Sequence, residues 1–181
     1  MENDTLTMEM LLKRIELLES KVAVLEAKDV KQKTNTVNVS TFHTPSIKYL
    51  QWIPTLEPSQ EHMEFLFTQG YIQGISMLVC SLIEQSTEPP IIMNRSKKNQ
   101  IYIYVEDKWI LMDNNHFGKF IDIQQSKLLK LFKQWKLDNP KYQTEEYSDI
   151  LSKYLQNILG TKYPKMETIQ RIRTTVYSSL L

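Results

Sequence analysis

The chain has 181 residues, enough for one ordinary domain and an extension. Its 41% hydrophobic and 10% aromatic content suits a packed core and excludes a disordered chain. A formal net charge of +1 removes any whole-chain electrostatic case for nucleic acid or membrane, so such a case rests on local patches.

The first predicted element is a helix capped by Asn3 or Asp4, with Glu2, Asp4 and Glu9 at its positive end. Met8, Leu11, Ile15, Leu18, Val22 and Leu25 recur at alternating steps of three and four, an a/d heptad pattern. In a parallel pair each g residue faces the e residue five positions on, which sets Arg14 against Glu19 and Lys21 against Glu26. Both pairs are of opposite charge. Residues 1–30 therefore read as an oligomerisation coiled coil forming a homodimer. Leu12 and Leu17 widen the stripe and leave a trimer open. The competing reading is a single helix lying on the protein's own core. Asp29 would fall at an a position, so the pattern ends after about three heptads.

Residues 31–44 are polar and β-branched and read as a linker, and 45–181 as an α+β globular domain. The short segment Ile47 to Ile53, bounded by Pro45 and Pro54, should dock with Leu50 and Trp52 as anchors. Ser59 begins a predicted central helix running to about Gln85, with Gly70 and Gly74 one turn apart for close packing. Pro89-Pro90 ends it. Ile91 to Met93 is a short strand ahead of a hairpin, Ile101 to Val105 and Trp109 to Met112, turned by Glu106-Asp107-Lys108. Asn114 or Asn115 caps a helix ending near Asn139-Pro140, Thr144 starts one stopped by Gly160, and Pro164 opens a last one. The inner face of that last helix should carry Met166, Ile169, Ile172, Val176 and Leu180. The fold class is α+β, a mainly helical domain with a small β-hairpin behind a coiled-coil helix.

Chemistry is hard to find. His43, His62 and His116 are scattered, Cys80 lies alone in an apolar run, and no phosphate loop, nucleophile elbow or zinc spacing occurs. No catalytic residue, metal ligand or cofactor is assigned, and the chain is expected not to be an enzyme. The start lacks the basic residues of a signal peptide, and no apolar run approaches the roughly 18 to 20 residues that span a bilayer. No membrane partner is expected.

One local charge signal is basic. Arg95, Lys97 and Lys98 precede Lys127, Lys130, Lys133 and Lys136, which recur every third residue on a helix. With Tyr102, Tyr104 and Trp109 on the hairpin, they could form a phosphate-contacting surface with stacking aromatics. The competing reading is a solvated lysine face with the aromatics packed inward, which the near-zero net charge favours.

Pro90-Ile91-Ile92-Met93-Asn94, Lys97-Lys98, Tyr102-Ile103-Tyr104 and Trp109 carry a resemblance. The stretch from about Gly70 to Leu137 resembles uncharacterised coiled-coil proteins of nucleocytoplasmic large (giant) DNA viruses. Pro89 stands where that pattern has Arg, and Asn94 where it has Asp. The resemblance implies a viral protein in the virion or in a virus factory in the host cytoplasm, and little about mechanism. The leading expectation is a homo-oligomeric scaffold whose C-terminal domain contacts other viral proteins. The alternative is a nucleic-acid-binding module using the basic loop and the lysine stripe.

Overall fold

A computed structural model of the chain describes residue 21 and residues 43–181, apart from 96, 98, 162 and 163. His43–Leu181 form a compact unit.

Helix α1 (Tyr49–Trp52) runs straight into a 3-10 turn (Ile53–Thr55). Tyr49 and Trp52 are three residues apart, share one face and are buried together with Ile53. Leu50 falls off that face and is 42% exposed, so Tyr49 takes the anchoring role expected of it. Tyr49 Oη donates to the His116 carbonyl at 3.0 Å, and Trp52 Nε1 donates to Ser86 Oγ at 3.2 Å.

The predicted central helix is two helices, α2 (Gln60–Gln69) and α3 (Tyr71–Glu84). Gly70 breaks them with φ 78° and ψ 178°, a backbone region open essentially to glycine. Gly74 has a separate job. A Cβ there would stand 2.4 Å from Leu66 Cγ, so the missing side chain lets α3 press against α2. The close-packing expectation therefore holds at Gly74 and not at Gly70, where nothing lies within 4 Å of the added atom.

Strands β1 (Ile91–Met93), β2 (Ile101–Val105) and β3 (Lys108–Leu111) form an antiparallel sheet in that order. Ile91 pairs with Ile103, and Ile103 with Ile110. Ile91, Ile101 and Ile103 face the helical core, with Met93, Val105 and Ile110 packed beside them. Glu106 and Asp107 make the tight turn, both with positive φ as a two-residue hairpin turn demands. Lys108, expected in the turn, instead pairs with Val105.

Helix α4 (Asn114–Asp138) has 25 residues and spans about 37 Å. Its cap is Asp113 rather than either asparagine, because the carboxylate accepts from the His116 amide and ring, each at 2.7 Å. Phe117, Phe120, Ile121, Gln124, Leu128, Phe132 and Trp135 form its buried stripe. A 3-10 turn, Pro140–Gln143, follows α4, and a second, Glu145–Tyr147, stands where the sequence predicts the start of an α-helix at Thr144. The regular helix α5 covers Ser148–Leu159 and stops at left-handed Gly160, as expected. Gln125 Nε2 on α4 donates to the Ile158 and Leu159 carbonyls at 2.8 and 3.0 Å, satisfying the end of α5. Helix α6 (Lys165–Ser179) lies against α3 and α4 through Ile169, Ile172 and Val176. Met166 belongs to the same stripe by spacing but is 57% exposed, since a first-turn side chain leans back past the helix start.

An aromatic cluster locks α2, α4 and α5 together. Phe67 and Tyr154 stack at 4.0 Å with planes 5° apart, and Trp135 meets Phe67 at 5.2 Å. The architecture is α+β, with helices gathered on one small antiparallel sheet. Among the described residues no helix is long and apolar enough to cross a membrane.

Candidate functional site

The oligomerisation residues Met8, Leu11, Arg14, Ile15, Leu18, Glu19, Val22, Leu25 and Glu26 lie outside the described residues. Lys21 is described, as a helical and exposed residue.

The basic loop between β1 and β2 is built by its neighbours. Asn94 N donates to the Gln100 carbonyl at 2.9 Å, and Gln100 N to the Lys97 carbonyl at 3.3 Å, closing its neck. Asn99 takes a left-handed φ of 60° to return the chain to β2. From below, the single hydroxyl proton of Tyr177 on α6 is shared between the Asn94 carbonyl at 2.6 Å and the Lys97 carbonyl at 3.0 Å. Arg173, one turn earlier, reaches the Asn99 carbonyl and Asn114 Oδ1 at 3.4 Å each. Burial lowers the Arg173 pKa from its ordinary value while Asp113 opposes that shift. Arg95 and Lys97 are exposed. Sequence reasoning found the cations and missed Tyr177, because an inner-face tyrosine carries no signal of which loop lies above it.

The lysine stripe does not join this loop. Arg173 ties the loop to the α4 N-terminus, whereas Lys130 and Lys136 lie 16 and 22 residues further along α4, about 24 and 33 Å along its axis. Lys127 is not a surface cation in the expected sense. Its Nζ donates to the Pro54 and Leu56 carbonyls and to Glu57 Oε1, each at 2.6 Å. Lys130 and Lys133 are exposed and Lys136 is half-buried. The tyrosines meant for stacking are unavailable: Tyr102 is 3% and Tyr104 8% exposed. Trp109, half-buried, packs on Tyr104 at 5.5 Å.

Two of the histidines, His62 and His116, serve helix ends. His62 Nδ1 accepts from the Ser59 amide at 3.0 Å and lies 2.7 Å from Ser59 Oγ, which in turn accepts from the His62 amide. A serine and an imidazole at that distance resemble an activated nucleophile. Here those hydrogen bonds form a capping box on α2. Burial lowers the His62 pKa, against a raising influence of Glu61. His116 does the equivalent work with Asp113, and His43 lies 3.4 Å from Glu88. Burial pushes the Cys80 thiol up to about 11, which leaves it a poor nucleophile. Among the described residues no three His, Cys, Asp or Glu side chains gather to hold a metal ion.

A cleft of about 250 Å³ opens between α3, α4 and the α5–α6 connection, lined by Tyr71, Gln125, Leu159 and the Asp122–Lys165 ion pair. Its polar groups are engaged with one another: Gln125 Nε2 reaches Tyr71 Oη at 3.4 Å, and Lys165 Nζ pairs with Asp122 Oδ2 at 2.9 Å.

No protein-family model, no curated protein and no solved structure matches the chain.

Proposed function

We propose that the protein is a non-catalytic assembly component of a large DNA virus, acting in the virus factory or the virion. Two chains join through a parallel coiled coil over residues 8–25, and the domain from residue 45 onward presents a fixed surface to other viral proteins. The observation that carries this reading is the heptad pattern with oppositely charged g/e pairs, Arg14 to Glu19 and Lys21 to Glu26. The domain supports it by how its chemically versatile groups are spent. Ser59, His62, Asp113 and His116 hydrogen-bond within helix caps, and Lys127 clips the α1–α2 connection. Ile150, Leu155 and Leu159 on α5 remain 39%, 37% and 40% exposed, apolar area a partner can cover.

Light scattering on the full chain tests the assembly. The 21.4 kDa chain should run at about twice that mass, and Leu18→Glu, which places charge in the seam, should return it to one chain. A chain beginning at His43 should also be monomeric. A monomeric wild type, or a Leu18→Glu variant of unchanged mass, overturns the proposal.

A further inference from the structure

We propose that the β1–β2 loop is a preformed cationic tip that binds the phosphate backbone of duplex nucleic acid, with Tyr177 as its positioning residue. The inference stands apart from the assembly reading, since it needs only the domain's own loop and α6. It also replaces the composite surface expected from sequence, because the lysine stripe is too far along α4 and Lys127 is committed elsewhere.

Three features of the loop point the same way. Its carbonyls at Asn94, Lys97 and Asn99 are drawn onto α6 by Tyr177 and Arg173, which ties the loop backbone down at three points. Arg95 and Lys97 are exposed and cationic, and Lys98 is the next residue in the sequence. No Asp or Glu occurs between Glu88 and Glu106, and among the described residues neither Arg95 nor Lys97 makes an ion pair. They are clustered, unneutralised and held on a tethered backbone, with the Arg173 guanidinium behind them.

A tethered backbone matters because ordering a loop on binding costs conformational entropy for each residue fixed. Tyr177 meets that cost during folding. The partner follows from what surrounds the tip. Single strands are bound by stacking their bases on open aromatic faces. Tyr102 and Tyr104 beside this loop are buried, which leaves phosphate contact as the available mode. Contact of that kind is independent of base sequence and strongly salt-dependent.

The test is fluorescence anisotropy with the full chain and a labelled duplex of about 20 base pairs, at salt from about 50 to 200 mM. The wild type should bind at the low end and weaken steeply with salt. The triple variant Arg95→Ala/Lys97→Ala/Lys98→Ala should lose about tenfold or more in affinity, and its log–log salt slope should shrink by about 2 to 3. Lys130→Ala/Lys133→Ala, on the far half of α4, should stay within about twofold of wild type. Tyr177→Phe should weaken binding several-fold while leaving the salt slope unchanged, since the same phosphates are met from a looser loop. Loss of stability with affinity intact would confine Tyr177 to the fold and remove its positioning role. No retention on duplex at low salt, a triple variant that binds like wild type, or tighter binding to a single strand of equal length would overturn the proposal. Binding to phosphatidylserine vesicles without binding to duplex would reassign the tip to a membrane surface and overturn it too.

Discussion

Gly74 and Leu66 touch so closely that a methyl group on Gly74 would overlap the Leu66 side chain. The added Cβ would meet Cγ at 2.4 Å, Cδ2 at 2.8 Å and the backbone Cα at 3.0 Å. Alanine gains about 1 kcal/mol over glycine in a helix interior, but overpacking costs about 1–3 kcal/mol. With backbone among the crowded atoms, the clash wins. Gly74→Ala should lower the urea midpoint with an unchanged m value. A variant as stable as wild type would show that α2 and α3 can part without cost.

Gly160 gives a second backbone test. Its φ of 67° ends α5, and a Cβ there would meet the Tyr71 ring at 2.4 Å. Strain and collision add, so Gly160→Ala should cost about 2 kcal/mol or more in stability. Thermal melting checks it. An unchanged midpoint would count against the way α5 is terminated here.

Lys127 should behave as a fold residue. Its side chain is only 18% exposed and holds two carbonyls of the α1–α2 connection. Lys127→Ala should cost about 1–3 kcal/mol, the usual penalty for stranding partly buried partners of a charged hydrogen bond. Glu57, 74% exposed on the other side of the pair, should cost no more than about 1 kcal/mol when replaced by Gln. Neither change should alter duplex binding. A Lys127→Ala variant of full stability and weakened binding would put that lysine back in a binding surface.

Acid should weaken the fold in two stages. His62 has a pKa below its ordinary 6.5, chiefly through burial, so the unfolded chain binds its proton more readily than the folded one. Its contribution is complete above about pH 6.5 and is lost as pH falls below that, when Nδ1 no longer accepts from Ser59. Burial alone would raise Asp113, but hydrogen bonds from the His116 amide and ring outweigh it and hold the carboxyl below 3.8. That contribution survives until pH falls below about 4. His62→Gln keeps an acceptor at the third helical position and removes the titration. Its urea midpoint should stay flat between about pH 7.5 and 5, where the wild type declines. A flat wild-type profile over that range would contradict the assignment.

The legible parts of the domain were those written in short-range pattern. The 3.6-residue periodicity and the asparagine–proline stop placed α4, the glycine stop placed the end of α5, and short apolar runs bounded by turn residues placed the three strands. What escaped depended on contacts far apart in sequence. Whether Gly70 ends a helix or sits inside one depends on how α3 folds back on α2, and local propensity does not encode that. Asp113 was passed over as a cap because the neighbouring asparagines are equally good caps; the His116 ring decides between them. Lys127 and Lys130 are both stripe lysines by spacing, yet only Lys127 lies under the Ile53–Glu57 connection. The candidate site was legible as charge and illegible as geometry, since Tyr177 meets Asn94 across 83 positions.

Because one phenol meets two of the loop's carbonyls, those of Asn94 and Lys97, β1–β2 order is coupled to the last turn of α6, where Tyr177 precedes the helix end at Ser179. Opening of that turn removes the Tyr177 tether and leaves the Arg173 contact and the neck hydrogen bonds, so protection of the loop amides should fall in step with fraying of the turn. Fraying at one end of α6 thereby loosens a surface more than seventy residues upstream.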